Sequence, residues 1–220
     1  MDHEAGHPRI VIVDYGAGNL RSVARALVAA GAQPIISSAP TDLESADGIV
    51  LPGVGAAAAA MHGLARHGLI GPLRTAIAAG RPFLGICLGL QVLMSWSDEG
   101  GVPCLGIMPG RVRRLPAGLT IPHMGWNQVH QIAQHWIFQD IPDNANFYFV
   151  HSYVVVPEDD RIVLATTDYG GPFVSAVGDR NIVATQFHPE KSGSIGLRLY
   201  RNFVRRVTET RASAMAAVGE

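Results

Sequence analysis

Two short stretches carry residue types that could do nucleophilic chemistry. In "GICLGLQ", Gly85 to Gln91, Cys87 stands between two glycines at the end of the apolar run "RPFLGI". The spacing Gly-x-Cys-x-Gly is the thiol counterpart of the G-x-S-x-G elbow, whose glycines permit a sharp strand-to-helix turn that lifts the nucleophile clear of a sheet. A helix beginning there would favour thiolate over thiol through its positive N-terminal end. A small core thiol is the other reading, and spacing alone leaves both open.

A cysteine nucleophile needs a base, and the base needs an orienting acceptor. Of nine histidines, His3, His7, His62 and His67 occur in polar or helical stretches without a catalytic pattern. "TQFHPEKS" differs, closing the strand candidate "NIVATQF" with His188, Pro189 and Glu190. Proline keeps the preceding residue out of the helical region, so His188 is expected extended. Residues i and i+2 of an extended chain share a side, which brings the Glu190 carboxylate to the His188 ring. That contact selects one tautomer and stabilises the imidazolium formed when the thiol gives up its proton. A surface ion pair is the plain alternative; a strand end opposite an elbow cysteine favours a Cys87-His188-Glu190 triad.

Acyl chemistry at sulfur also develops negative charge on the substrate oxygen. The Leu88 N–H, directly after the nucleophile, is one natural donor. "LPGVG" offers a second from the backbone at Val54 or Gly55, although the same five residues also read as a tight turn.

These groups need elements to hold them. "RIVIV" and "QPIISS" read as short strands flanking an amphipathic helix with apolar residues at Leu20, Val23, Ala24, Leu27 and Val28 and a stop at Gly31. "ADGIVLPGVG" and "RPFLGI" are further strands, separated by a helical stretch expected to break near Gly71-Pro72. From about residue 100, strand candidates follow in series ("GRVRRL", "NQVHQI", "NFYFVHSYVVV", "RIVLATTDY", "FVSAVGD", "NIVATQFH"), then the helix "GSIGLRLYRNFVRRVTET". The expected fold is α/β: an open, mostly parallel sheet flanked by helices, with a small antiparallel addition. Residues 9–210 read as one domain between an N-terminal tail (1–8) and a fraying C-terminal tail (211–220).

Composition narrows the function classes. The 220 residues are 48% hydrophobic, enough for one sizeable core, and the net charge of -1 gives no electrostatic case for nucleic acid or a membrane surface. Arg111, Arg113 and Arg114, and again Arg201, Arg205 and Arg206, read as solvated faces. Two cysteines, Cys87 and Cys104, make neither a disulfide framework nor a zinc site, so no metal is expected. The opening "MDHEAGHPRI" lacks an apolar signal core, and a reducing cytoplasm is the expected compartment. "DYGAGN" fails as a dinucleotide fingerprint because Arg21 stands in place of the third glycine, so no cofactor is expected.

Taken together, "GICLGLQ" and "HPE" resemble the class I, triad-type glutamine amidotransferases, with a flavodoxin-like sheet and glutamine hydrolysis through a γ-glutamyl thioester. "VDYGAGNL", "LPGVGAAAAAM", "PHMGWN", "FYFVHSY" and "TQFHPEKS", in that order, are similar to one branch of that class, the glutaminase subunits of imidazole glycerol phosphate synthases. The departures are an all-alanine run after Gly55, where phenylalanine is frequent, and Leu90 in place of methionine; neither removes a catalytic group. The resemblance implies Cys87 as nucleophile, His188 as base and then acid, and Glu190 as orienter. It further implies L-glutamine as substrate, Gln91, Glu99, His151, Ser152 and Tyr153 around it, and a cyclase subunit as heterodimer partner. Asn19, Trp126 and Lys191 are the candidates for the partner surface. A free-standing γ-glutamyl hydrolase of the same fold and a non-catalytic binding domain with a buried Cys87 are the competing readings.

Overall fold

Alternating apolar and turn-forming stretches build the first half of the chain as strand, helix, strand. In the computed structural model, which describes residues 6–218, β1 (Arg9–Val13) leads to α1 (Leu20–Ala29) and β2 (Gln33–Ser37). Then come α2 (Pro40–Glu44), β3 (Gly48–Gly53), α3 (Ala57–Arg66), α4 (Ile70–Ala78), β4 (Phe83–Cys87) and the single-turn α5 (Leu88–Gln91). The second half supplies β5 (Trp96–Ser97), β6 (Val102–Pro103), β7 (Gly110–Arg114), β8 (His123–Gln131) and β9 (Ala145–His151). It closes with β10 (Tyr153–Pro157), β11 (Val163–Asp168), β12 (Pro172–Asp179), β13 (Ile182–Thr185) and α6 (Gly193–Val218).

The sheet runs β2-β1-β3-β4-β13-β12-β10-β7-β5-β6. Its first five strands pair in parallel; β12, β10 and β7 continue it antiparallel. β11 pairs with both β12 and β8, and β9 joins β8, forming an antiparallel extension beside the parallel strands.

Helices on both faces explain why β3 and β4 are buried at every residue. Successive side chains alternate between two cores. Ile10, Ile12, Val50 and Leu84 pack with Val23 and Leu27 of α1 and Leu199 and Phe203 of α6. Val11, Val13, Ile49 and Phe83 pack with Leu64 of α3 and Leu73 and Ile77 of α4 on the other side. Each fully buried aliphatic contributes about 1.5–3 kcal/mol, and truncating one such as Leu84 to alanine costs roughly 2–5 kcal/mol.

Two boundaries differ from the sequence expectation. The helix break lies at residues 67–69, not at Gly71-Pro72. Gly68 takes φ +66°, its N–H donates to Ala65 O and the Leu69 N–H donates to Leu64 O, a Schellman stop that ends α3. Pro72 sits in the first turn of α4, where a missing N–H removes no intrahelical bond. At the other end, α6 continues to Val218 through part of the segment expected as tail, with residues 212–217 exposed. Residues 1–5 of the expected N-terminal tail and 219–220 of the C-terminal one lie outside the described residues. Among those described, no helix is long and apolar enough to cross a membrane.

Candidate functional site

Cys87 ends β4 with φ 53° and ψ -105°, a conformation that only a strained, well-held turn imposes on a residue with a side chain. The flanking glycines make the turn possible. A Cβ on Gly89 would overlap the Leu51 carbonyl oxygen of β3, and one on Gly85 would lie 2.9 Å from Gly89 O. The expected elbow is therefore present, but the helix after it is a single turn, too short for a full macrodipole. Cys87 is 6% exposed, at the floor of a pocket of about 480 Å³.

His188 and Glu190 come from the loop after β13, which pairs with β4 in parallel and so ends at the same edge. His188 Nδ1 is 2.8 Å from Glu190 Oε1, and both side chains are 2% exposed. The contact was expected from an extended chain; the cause is different. His188 is extended (φ -104°, ψ 94°), but Pro189–Lys191 form a 3-10 turn that folds the carboxylate back under the ring. Ser192 Oγ donates to His188 O and accepts from the Tyr148 N–H, pinning that turn to β9. Burial acts to lower the His188 pKa, but the Cys87 and Glu190 side chains beside the ring override it, raising it to about 10. Nε2, the nitrogen left for the thiol, is buried and makes no hydrogen bond. Behind the pair, Tyr200 is wholly buried, and burial followed by the Glu190 charge holds its phenol well above its ordinary pKa.

The pocket wall gathers most of the residues singled out in the sequence. Val54, Gly55, Leu88, Gln91, Glu99, His151, Ser152 and Tyr153 all line it with Cys87. Gly53 stands directly opposite Cys87 in the β3–β4 register, which brings the Val54–Gly55 backbone beside the sulfur. Among the described residues, the Val54 and Gly55 N–H groups make no turn or loop bond to another backbone carbonyl. Glu99 has a structural duty as well: its Oε2 accepts the Ala57 N–H at the start of α3.

Other features of the site were not foreseen. Gln186, fully buried, donates from Nε2 to Cys87 Sγ at 3.5 Å and accepts from Gln91 Nε2 at 3.1 Å. His151 is paired with His123, its register partner across β8 and β9. The Tyr153 carbonyl can only accept, so His151 Nδ1, 3.0 Å away, carries the proton. Its Nε2 then accepts from His123 Nδ1 at 3.0 Å, and His123 Nε2 accepts from Asn127 at 3.2 Å. Burial lowers the His123 pKa; burial, with smaller effects from His123 and His188, lowers that of His151 to about 3. One histidine at the site is thus held ready to carry charge while its neighbours stay neutral.

The partner-surface candidates lie at the rim of this edge. Trp126 is 58% exposed and meets the Tyr148 ring at a near-right angle. Lys191 Nζ lies 5.4 Å from the centre of the same Tyr148 ring. Asn19 occupies the N-cap of α1 without a side-chain capping bond.

The family model for glutamine amidotransferase class-I matches residues 11–207. The imidazole glycerol phosphate synthase subunit HisH of Dehalococcoides mccartyi is 53% identical over 88% of this chain and 95% of its own length. The subunit of the same name from Nitrosococcus oceani is 51% identical, covering 89% of this chain and 96% of its own. Among solved structures, PurLQS from Thermotoga maritima superposes with a TM-score of 0.73 at 20% identity over 91% of this chain and 99% of that one. That likeness speaks for the fold alone.

Proposed function

The chain belongs to the class I glutamine amidotransferase family, and from that premise we propose that it is the glutaminase subunit of an imidazole glycerol phosphate synthase. The observation that carries the chemistry is Cys87 on a strained elbow at the floor of a pocket, with the buried His188-Glu190 pair as the base beside it. The subunit role rests on relatives of that name sharing half their residues with nearly the whole chain.

In the proposed reaction His188 takes the thiol proton, and Cys87 Sγ attacks the side-chain carboxamide carbon of L-glutamine. The oxyanion is held by the Leu88 N–H and by Val54 or Gly55. Collapse breaks the C–N bond; His188 returns the proton to the leaving nitrogen, and ammonia departs from a γ-glutamyl thioester. Water, deprotonated by His188, then attacks the thioester, and glutamate leaves as the thiol is restored. Glu190 keeps one His188 tautomer throughout. Gln91, Glu99, His151, Ser152 and Tyr153 surround the substrate. The ammonia passes to a cyclase subunit, bound through the rim that carries Asn19, Trp126 and Lys191, for synthesis of imidazole glycerol phosphate and AICAR in histidine biosynthesis. The cytoplasm is the compartment for this pathway step.

The deciding experiment measures glutamine hydrolysis by the chain alone, then with the cyclase subunit and its ribonucleotide substrate. Strong stimulation is expected. Full activity alone, unchanged by the cyclase, would assign a free-standing hydrolase instead.

A further inference from the structure

We infer that Gln186 is a further catalytic residue, the fixed hydrogen-bond donor that stabilises negative charge on the Cys87 sulfur as it develops. The inference rests on the glutaminase reading above, in which that sulfur is the nucleophile.

The argument starts from one carbonyl. Tyr153 O can only accept, so the Gln91 amide atom 3.0 Å from it is the nitrogen. The same Gln91 nitrogen lies 3.1 Å from the Gln186 amide, and must therefore face its oxygen. With Oε1 so engaged, the Gln186 NH2 is turned to Cys87 Sγ at 3.5 Å. The backbone leaves little freedom to undo this. Thr185 is in register with Ile86 on β4, and the Gln186 N–H donates to Ser175 O. Gln186 is fully buried and is absent from the pocket wall, so it meets the reacting atoms only at the sulfur and reaches the wall only through Gln91.

A donor at that position favours the charged sulfur over the neutral thiol or thioester, because hydrogen bonds to ionised groups are the stronger ones. It acts twice. Before attack it stabilises the thiolate formed when His188 takes the proton. In deacylation the C–S bond breaks, its electron pair returns to sulfur, and the same donor receives the departing thiolate. An amide serves where a cation would not, since it supplies a donor without a second positive charge beside the His188 imidazolium. Gln91 sets the amide's direction; with the amide reversed, its oxygen would face the thiolate and repel it.

The test is Gln186→Met, close in shape and lacking both amide groups, in the chain alone and assembled with its cyclase subunit. Glutamine turnover in the complex should fall on the order of ten- to a hundredfold, the worth of one hydrogen bond to a charged group. KM for glutamine should change less than kcat, because Gln186 reaches the pocket only through its bond to Gln91. Alkylation of Cys87 by iodoacetamide at neutral pH should slow by a similar factor in the chain alone. Wild-type turnover and alkylation in Gln186→Met would overturn the inference, as would a rise in KM with kcat unchanged. If wild-type complex fails to hydrolyse glutamine while alkylation still depends on Gln186, the sulfur contact stands and the glutaminase reading falls. Should Gln186→Met not fold, the side-chain amide protons of Gln186 carry the test. Their NMR shifts should respond to Cys87→Ala more than those of the other glutamines, and an unchanged Gln186 signal would overturn the contact.

Discussion

His188 Nδ1 and Glu190 Oε1 are 2.8 Å apart with both side chains almost wholly enclosed, so the charge on Glu190 acts on the ring with little screening by water. Glu190→Gln keeps the shape and removes that charge. The ring should lose basicity, and stimulated glutamine hydrolysis should drop by up to ~10⁴, the scale for losing the acidic member of a serine triad. The decrease should be smaller than for Cys87→Ala. Near-wild-type turnover would mean that another residue orients His188.

Removing the thiol should separate two nitrogen sources. In the assembled enzyme Cys87→Ala abolishes glutamine-dependent synthesis and leaves synthesis from added ammonia nearly intact, because the sulfur cleaves the amide and takes no part in ring closure. Equal loss with both sources would defeat the assignment of Cys87.

The parallel strands, the elbow and the His188-Glu190 contact were legible because each is written within a few consecutive residues. Gln186 was not, although it is two positions from His188. Its contact with Cys87 exists only because β13 pairs beside β4 in the Thr185–Ile86 register, and no local pattern encodes a register. The His123–His151 pair was hidden for the same reason, since its members are 28 residues apart. The helix break was misplaced because a glycine-proline pair is a strong breaker signal anywhere except a helix's first turn, where Pro72 falls. Glu99 was placed around the substrate by the resemblance alone, and its bond to the Ala57 N–H required knowing that α3 begins beside it.

Close approach of two strands at the elbow predicts a stability effect without any catalytic group being touched. Gly89→Ala would drive a methyl into the Leu51 carbonyl oxygen, a backbone atom held in the β3–β4 pairing that cannot swing aside. A loss of roughly 1–3 kcal/mol or more is expected, as for other overpacked cores. Gly55→Ala offers the contrast in space, since nothing lies within 4 Å of its Cβ position, although its φ of +91° retains a backbone penalty. Urea midpoints of both variants check this, and an unshifted Gly89→Ala would show that the elbow can open.

The neutral histidine pair makes acid stability a test of whether His151 is held uncharged. An unfolded chain protonates this histidine near its ordinary 6.5, whereas folded His151 resists until about 3. Between those values the unfolded state binds more protons, so stability falls as pH falls, by at most about 1.4 kcal/mol per pH unit for one group. His188 has the opposite sign: its folded value of about 10 adds stability below 6.5 that is lost as pH rises through 10. His151→Gln should therefore flatten the denaturant midpoint's decline from pH 6.5 toward 3. A slope identical to wild type would mean that His151 is not held neutral.

The partner-dependent rate can be addressed through Lys191. Its backbone N–H donates to His188 O, so the residue is built into the turn that holds the base, while its side chain extends over Tyr148 at the rim. Trp126 packs against the same tyrosine at a near-right angle and is exposed. A partner that engages this rim would therefore press on the same turn that carries His188 and Glu190. Stimulation is then a shift of population toward the active pocket, driven by tighter binding of the loaded partner to that state. Lys191→Ala should reduce stimulation of glutamine hydrolysis by the cyclase more than it reduces the basal rate. Trp126→Ala should weaken assembly by about tenfold or more, as for an aromatic anchor, with the basal rate unchanged. Basal and stimulated rates, measured with binding of the cyclase subunit by calorimetry, separate these effects. If both variants assemble and respond as wild type does, the partner binds elsewhere and the Tyr148 rim is an ordinary exposed surface.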